Sequence, residues 1–134
     1  MIQFLFRRPR FPVICDAQGV LIGAETPRQL SDQLASIEVA PGEQLPLIDA
    51  SAEGWVLDID YMVISPLAFK KSWTKKEVVE MFNKSKTASQ AGLEYPARSL
   101  SSKKFDRIIG ELVKLILIAN KPQKIAGAFG LGSY

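Results

Sequence analysis

Residues 11–37, FPVICDAQGVLIGAETPRQLSDQLASI, decide the fold class. Two short runs rich in Val, Ile and Leu flank Asp16-Ala17-Gln18-Gly19, whose turn residues predict a hairpin loop. Thr26 then stands as a helix N-cap, Pro27 takes the first helical position and Gln29 completes a capping box. Leu30, Leu34 and Ile37 follow at helical spacing on one face, which predicts a helix of about three turns. A hairpin followed by an amphipathic helix is the opening of an α+β fold.

Downstream, Pro41-Gly42 ends the connection, and EQLPLIDASAEGWVLDIDYMVIS (43–65) predicts a second hairpin with Asp49 to Gly54 as its loop. Its second strand is read as one long element. Trp55, Leu57, Ile59, Tyr61 and Val63 alternate onto one face, opposite a half-polar set of Val56, Asp58, Asp60, Met62 and Ile64. Pro46 marks the preceding strand as an edge or a bulge, because proline lacks the N–H of a ladder bond. Upstream, FLFRRPRF (4–11) reads as an edge strand with solvated arginines. The other reading presses Phe4, Phe6 and Phe11 onto an anionic lipid surface through Arg7, Arg8 and Arg10.

The character of the chain changes near SPLAFKK (65–71), after which helical spacing dominates. TKKEVVEMFNK predicts a helix over 74–84, and SKKFDRIIGELVKLILIAN one over 102–120. In the latter, Phe105, Ile108, Ile109, Leu112, Val113 and Ile116 share a face, while Leu115, Leu117 and Ile118 make the final turns apolar on every side. The expected architecture is an antiparallel sheet of four to five strands over residues 2–65 with one packed helix, followed by a helical C-terminal half that covers the same face. Trp55 and the 102–120 helix are the expected core partners. Residues 1–120 form one domain in this reading, and 121–134 a Gly-rich tail.

Charge is unevenly spread. Residues 1–65 hold four basic and nine acidic residues, a net of −5, and residues 66–134 hold 13 and five, a net of +8. Such asymmetry points to a polyanion, an anionic surface or self-association. The basic residues gather at Lys70, Lys71, Lys75, Lys76, Lys84 and Lys86, flexible point charges suited to phosphate or carboxylate. From Thr74 onward, a Thr cap, KEVVEMF, Asn83 at the turn and SKTASQ opening a second helix together resemble the start of the helix-turn-helix of excisionase-like and MerR-like DNA-binding proteins. The resemblance implies base reading by Thr87 and Ser89. Local physics accounts for the same residues: Thr74 and Glu77 make a capping box, and Trp73 and Val78 a hydrophobic staple. Val79, Lys84 and Ser89 depart from the small or apolar residues of the family's pattern, and Gly92 stops the second helix early.

No histidine is present, which removes the commonest general base and metal ligand. Asp58 and Asp60, two apart on one strand, would offer two oxygens to a divalent ion without a third ligand, so neither a metal site nor catalysis is expected. The lone Cys15 is expected to be a buried hydrophobe. The apolar N-terminal stretch precedes its arginines, the reverse of a secretory signal, and the run LVKLILIA is too short to span a bilayer, so a cytoplasmic protein is expected. These features point to an accessory or adaptor protein without catalytic residues or cofactor. It would bind a macromolecular partner through the lysines and through Leu115, Leu117 and Ile118. The alternative is nucleic-acid binding, through the 74–92 segment or a nonspecific basic face; a homo-oligomer stays open.

Overall fold

The computed structural model describes residues 2–98 and 100–121. These form a six-stranded mixed sheet and four α-helices, an α+β arrangement. In chain order they are β1 (Gln3–Phe4), β2 (Val13–Ala17), β3 (Val20–Ala24), α1 (Pro27–Ala35), β4 (Gln44–Ile48), β5 (Gly54–Asp58), β6 (Val63–Ser65), α2 (Lys75–Lys84), α3 (Lys86–Ala91) and α4 (Phe105–Ala119). The strands lie in the order β1-β6-β5-β4-β2-β3.

The first hairpin closes through Gln18 (φ 57°) and Gly19 (φ 93°), a two-residue turn with both central residues left-handed, as the twist of the paired strands favours. Thr26 caps α1 by accepting the Gln29 N–H at 3.1 Å, while the Gln29 side-chain oxygen reaches one residue further back than a capping box requires, to the N–H of Glu25. The capping box of α2 is complete, with Thr74 and Glu77 exchanging bonds.

Three expectations are corrected. The sheet is larger than four to five strands and is not purely antiparallel, because β1 returns from the N-terminus to pair in parallel with β6. The single strand expected over 55–65 is two strands. Asp58 accepts the Tyr61 N–H at 3.3 Å and Met62 takes a left-handed conformation, so the chain folds back and β6 pairs with β5. Asp side chains supply the turn chemistry that Gly or Asn more often provides. The C-terminal half is helical only in part: apart from a 3₁₀ turn at Leu100–Ser102, residues 93–98 and 103–104 are irregular, and α4 starts at Phe105.

A further correction concerns layers. Helix α1 and the later helices lie on opposite faces of the sheet, not on the same one. Val13, Cys15 and Ile22 join Leu30, Leu34, Trp55 and Leu57 in one core. Ile14, Leu21 and Ile48 join Val78, Phe82, Ile109, Leu112, Val113 and Ile116 in the other. Trp55 therefore packs with α1's side and not with α4. The reason is in the quoted stretch: VIC and VLI are apolar at consecutive positions, the signature of strands buried on both faces. Gly23 lets α4 approach β3, since a Cβ there would stand 3.3 Å from Val113 Cα. Cys15, on β2, is fully buried.

Pro46 sits in an interior strand, yet β2 reaches β4 only at Leu47 and Ile48, so Pro46 lies beyond that pairing. At the β3 edge, the Leu21 N–H donates to Thr87 Oγ1 at 2.8 Å and its carbonyl accepts from Asn120 Nδ2 at 2.9 Å. Two helix-end side chains thus occupy polar groups that an edge strand otherwise leaves open.

Candidate functional site

The six lysines expected to form one patch fall into two groups. Lys70, Lys71, Lys75 and Lys76 surround the start of α2, whereas Lys84 and Lys86 stand at its far end, roughly 15 Å along a ten-residue helix. Not all are available. Lys70 pairs with Glu77 at 2.8 Å and lies over the Trp73 ring, and Lys75 Nζ donates to the Leu100 carbonyl at 3.1 Å. Lys70 is also the largest cause holding Glu77 below the usual carboxylate range. Lys71, Lys76, Lys84 and Lys86 are exposed and take part in no ion pair among the described residues. The stem of Lys86 lies over Gly19, and its N–H donates to the Gly19 carbonyl at 2.8 Å.

Ser85 is both the last cap of α2 and the first cap of α3, so one residue separates the two helices. Helix α3 has six residues. Its first turn is turned inward: Thr87 and Ala88 are buried, and Thr87 holds the β3 backbone. Asn83 belongs to α2, and its amide exchanges two bonds with the Tyr95 backbone, at 2.8 and 3.0 Å. Ser89 is exposed.

Helix α4 spends most of its apolar surface within the protein. Leu115 and Leu117 pack partly against the core, and Ile118 is exposed, lining a shallow groove with Val20, Leu93 and Lys121. The outer side of α4 carries a clasp in which Glu111 accepts from Tyr95 Oη, from Lys103 Nζ at 2.9 Å and from Arg107 Nε at 3.2 Å. The Tyr95 hydroxyl, then Lys103 and then Arg107, pull the Glu111 carboxyl down to about 2.

The carboxylates expected to share a strand face do not gather. Asp58 caps the β5–β6 turn, and Asp60, within that turn, accepts the Gly42 N–H at 2.9 Å. Among the described residues no three His, Cys, Asp or Glu side chains are grouped as metal ligands. The tail residues 122–134 lie outside the described residues.

Sequence reading named Phe6 as an exposed apolar group together with Phe4 and Phe11, which instead pack against the α1-side core, and it missed Leu67 and Phe69. Residues 66–70 form an excursion between β6 and residues 71–73, which rejoin the start of β5 through Gly54 N–H to Lys71 O and Trp73 N–H to Ala52 O. Its Leu67 and Phe69 stand out from the surface, Leu67 sharing a shallow depression with Leu5 and Tyr61. The available signal was an apolar triplet between Pro66 and Lys70 that fitted neither a strand nor a helix period. The chain was compared with family models, with curated proteins and with solved structures, and none of them matches it.

Proposed function

We propose that this chain is a non-catalytic accessory or adaptor protein that binds an acidic macromolecular partner through the outer side of its helical layer. The observation that carries the reading is electrostatic. Among the described residues of the second half, nine cations take part in no ion pair (Lys71, Lys75, Lys76, Lys84, Lys86, Arg98, Lys104, Lys114 and Lys121), against Glu80 and Glu94 on the acidic side. An excess of that sign on one layer steers an anionic partner and sets its orientation. Ile118 and the groove beside it supply an apolar contact at the end of the same layer. A cytoplasmic setting, in which Cys15 stays reduced, fits this reading; among the described residues no helix is long and apolar enough to cross a membrane.

The same cations support a second reading, nucleic-acid binding without sequence preference. The inward first turn of α3 favours this over base reading, because Thr87 is already engaged with Leu21. One experiment separates the two. Pull-down from native lysate with and without nuclease, repeated with Lys71, Lys76, Lys84 and Lys86 changed to Gln, retains a protein partner of the wild type after nuclease and loses it in the variant. Binding that nuclease abolishes supports the second reading; capture indifferent to the four substitutions overturns both.

A further inference from the structure

The two edges of the sheet differ in what they leave open. At β3 the outward N–H and C=O of Leu21 are taken by Thr87 and Asn120. At β1 the N–H groups of Gln3 and Leu5 donate to the carbonyls of Met62 and Ile64, both at 2.9 Å. In a parallel ladder the intervening Phe4 therefore turns its N–H and C=O away from β6, toward the open edge. Among the described residues nothing bonds to either group. Ile2 and Phe4, two positions apart, share the face that looks toward α1, and a groove of about 620 Å³ separates them from that helix.

Ile2, Phe4 and Pro27 make the groove apolar, and its charged groups are Arg8, Arg28 and Asp32. Arg8 follows β1 and stacks on the Phe4 ring at 4.7 Å; Arg28 stands in the first turn of α1, and Asp32 one turn further along. None of the three takes part in an ion pair among the described residues. Two guanidiniums against one carboxylate leave an excess of positive charge, in the forked form that suits a carboxylate. The open edge is short, because the chain turns after β1, with the Arg7 N–H donating to the Leu5 carbonyl at 2.8 Å. A short open edge beside an apolar groove with paired guanidiniums suits the end of an extended chain better than a strand that runs past it. We propose that this groove takes the C-terminal segment of a partner protein as an added strand on β1: Phe4 pairs with its backbone, apolar side chains enter between Phe4 and Pro27, and Arg8 and Arg28 hold the terminal carboxylate. The groove lies on the α1 side of the sheet, so the proposal does not rest on the function proposed for the helical layer.

The test is fluorescence polarisation of the full chain with an array of tagged octapeptides whose last four residues are randomised, each made with a free C-terminus and as its amide. The expected result is a set of free-acid peptides with apolar residues at alternate positions, bound about tenfold or more tightly than their amides. Arg8→Gln and Arg28→Gln should each weaken these peptides about fivefold at an unchanged melting temperature, since both side chains are exposed. Asp32→Asn should tighten them about threefold, which damage to the fold would not do. Methylating single backbone amides along the best peptide should find one position that costs about tenfold, the N–H that meets the Phe4 carbonyl. Changing Lys71, Lys76, Lys84 and Lys86 to Gln should leave peptide binding in place, which separates this groove from the helical layer. The proposal is overturned if no free acid is bound better than its amide, or if the two arginine variants bind as the wild type does. A methylation scan with no sensitive amide overturns it too, because the groove would then hold a carboxylate without pairing a strand.

Discussion

The two halves of the sheet are built to different rules. Strands β2 and β3 and the Ile48 end of β4 are packed on both faces, by α1 on one side and α2 to α4 on the other. Strands β5 and β6 bury Trp55, Leu57 and Ile64 on one side, while Val56, Asp58 and Val63 on the other lie in shallow, open depressions. The doubly covered half holds the fold together, since most strand positions there contribute to one core or the other. The singly covered half leaves side chains free to meet something else. The difference teaches where substitutions should damage stability and where they should damage only recognition.

The largest expected effect lies in the doubly covered half. Ile116 is fully buried between α4 and the sheet, so Ile116→Asp should unfold the domain, because burying an unpaired carboxylate costs several kcal/mol against a total of about 5–15. Circular dichroism would show the loss of helix, and a cooperative melt near the wild-type temperature would break the comparison.

Asp49 is the exception in the other half. It is buried, and its two oxygens accept from Arg10 N, Ser51 N, Ser51 Oγ, Glu53 N and Trp55 Nε1 at 2.7–3.1 Å. Asp49→Ala leaves these donors unpaired and should cost about 3 kcal/mol in urea unfolding. Asp49→Asn should also destabilise, because its NH2 cannot accept from Arg10 N and Trp55 Nε1, and wild-type stability in that variant would remove these two bonds from the account.

Gly54 sharpens the comparison at the join. A Cβ there would meet the Lys70 carbonyl oxygen at 1.8 Å, so Gly54→Ala must push the end of the 66–70 excursion and the 71–73 segment off β5. The expected result is faster proteolysis within 66–71 with the helical layer intact, read by mass spectrometry of limited digests; cleavage spread evenly over the chain would count against it.

Acid should act through the α4 clasp. Glu111 lies far below its ordinary 4.5 when folded, so its contribution is present above about pH 4.5 and is lost as pH falls toward about 2. Wild type and Glu111→Gln should therefore differ in stability at pH 6 and converge at pH 2. A difference that stays constant over that range would remove the clasp from the account. The smallest effect is expected at the exposed tips: Leu67→Ser and Phe69→Ser should shift stability by no more than about 0.5 kcal/mol.

Local grammar was legible and layer assignment was not. The Thr26 and Thr74 caps, the Gln18-Gly19 turn and the α4 face from Ile108 to Ile116 could be read because each depends on neighbours within four or five residues. The alternation from Trp55 to Val63 misled because Asp58 and Asp60 look alike on a wet strand face and in a turn. The placement of α4 opposite α1 depends on which side of β3 each helix meets, and Leu21 and Ile22 are equally apolar. The parallel return of β1 is a pairing across about sixty residues, which no local pattern encodes. Of the candidate site, the lysines were legible as charges, but Lys70 and Lys75 turned out to be occupied, and the inward turn of Thr87 follows from a backbone N–H far away in sequence.

Cys15 carries a practical consequence. It is the chain's single thiol, it lies on a strand packed on both faces, and burial pushes its ionisation upward. A thiol reagent can reach it only when the two cores part, so the rate of its labelling under native conditions is a clock for that opening. Read at increasing urea, the clock would tell whether the sheet opens as one cooperative unit or whether the singly covered strands let go first.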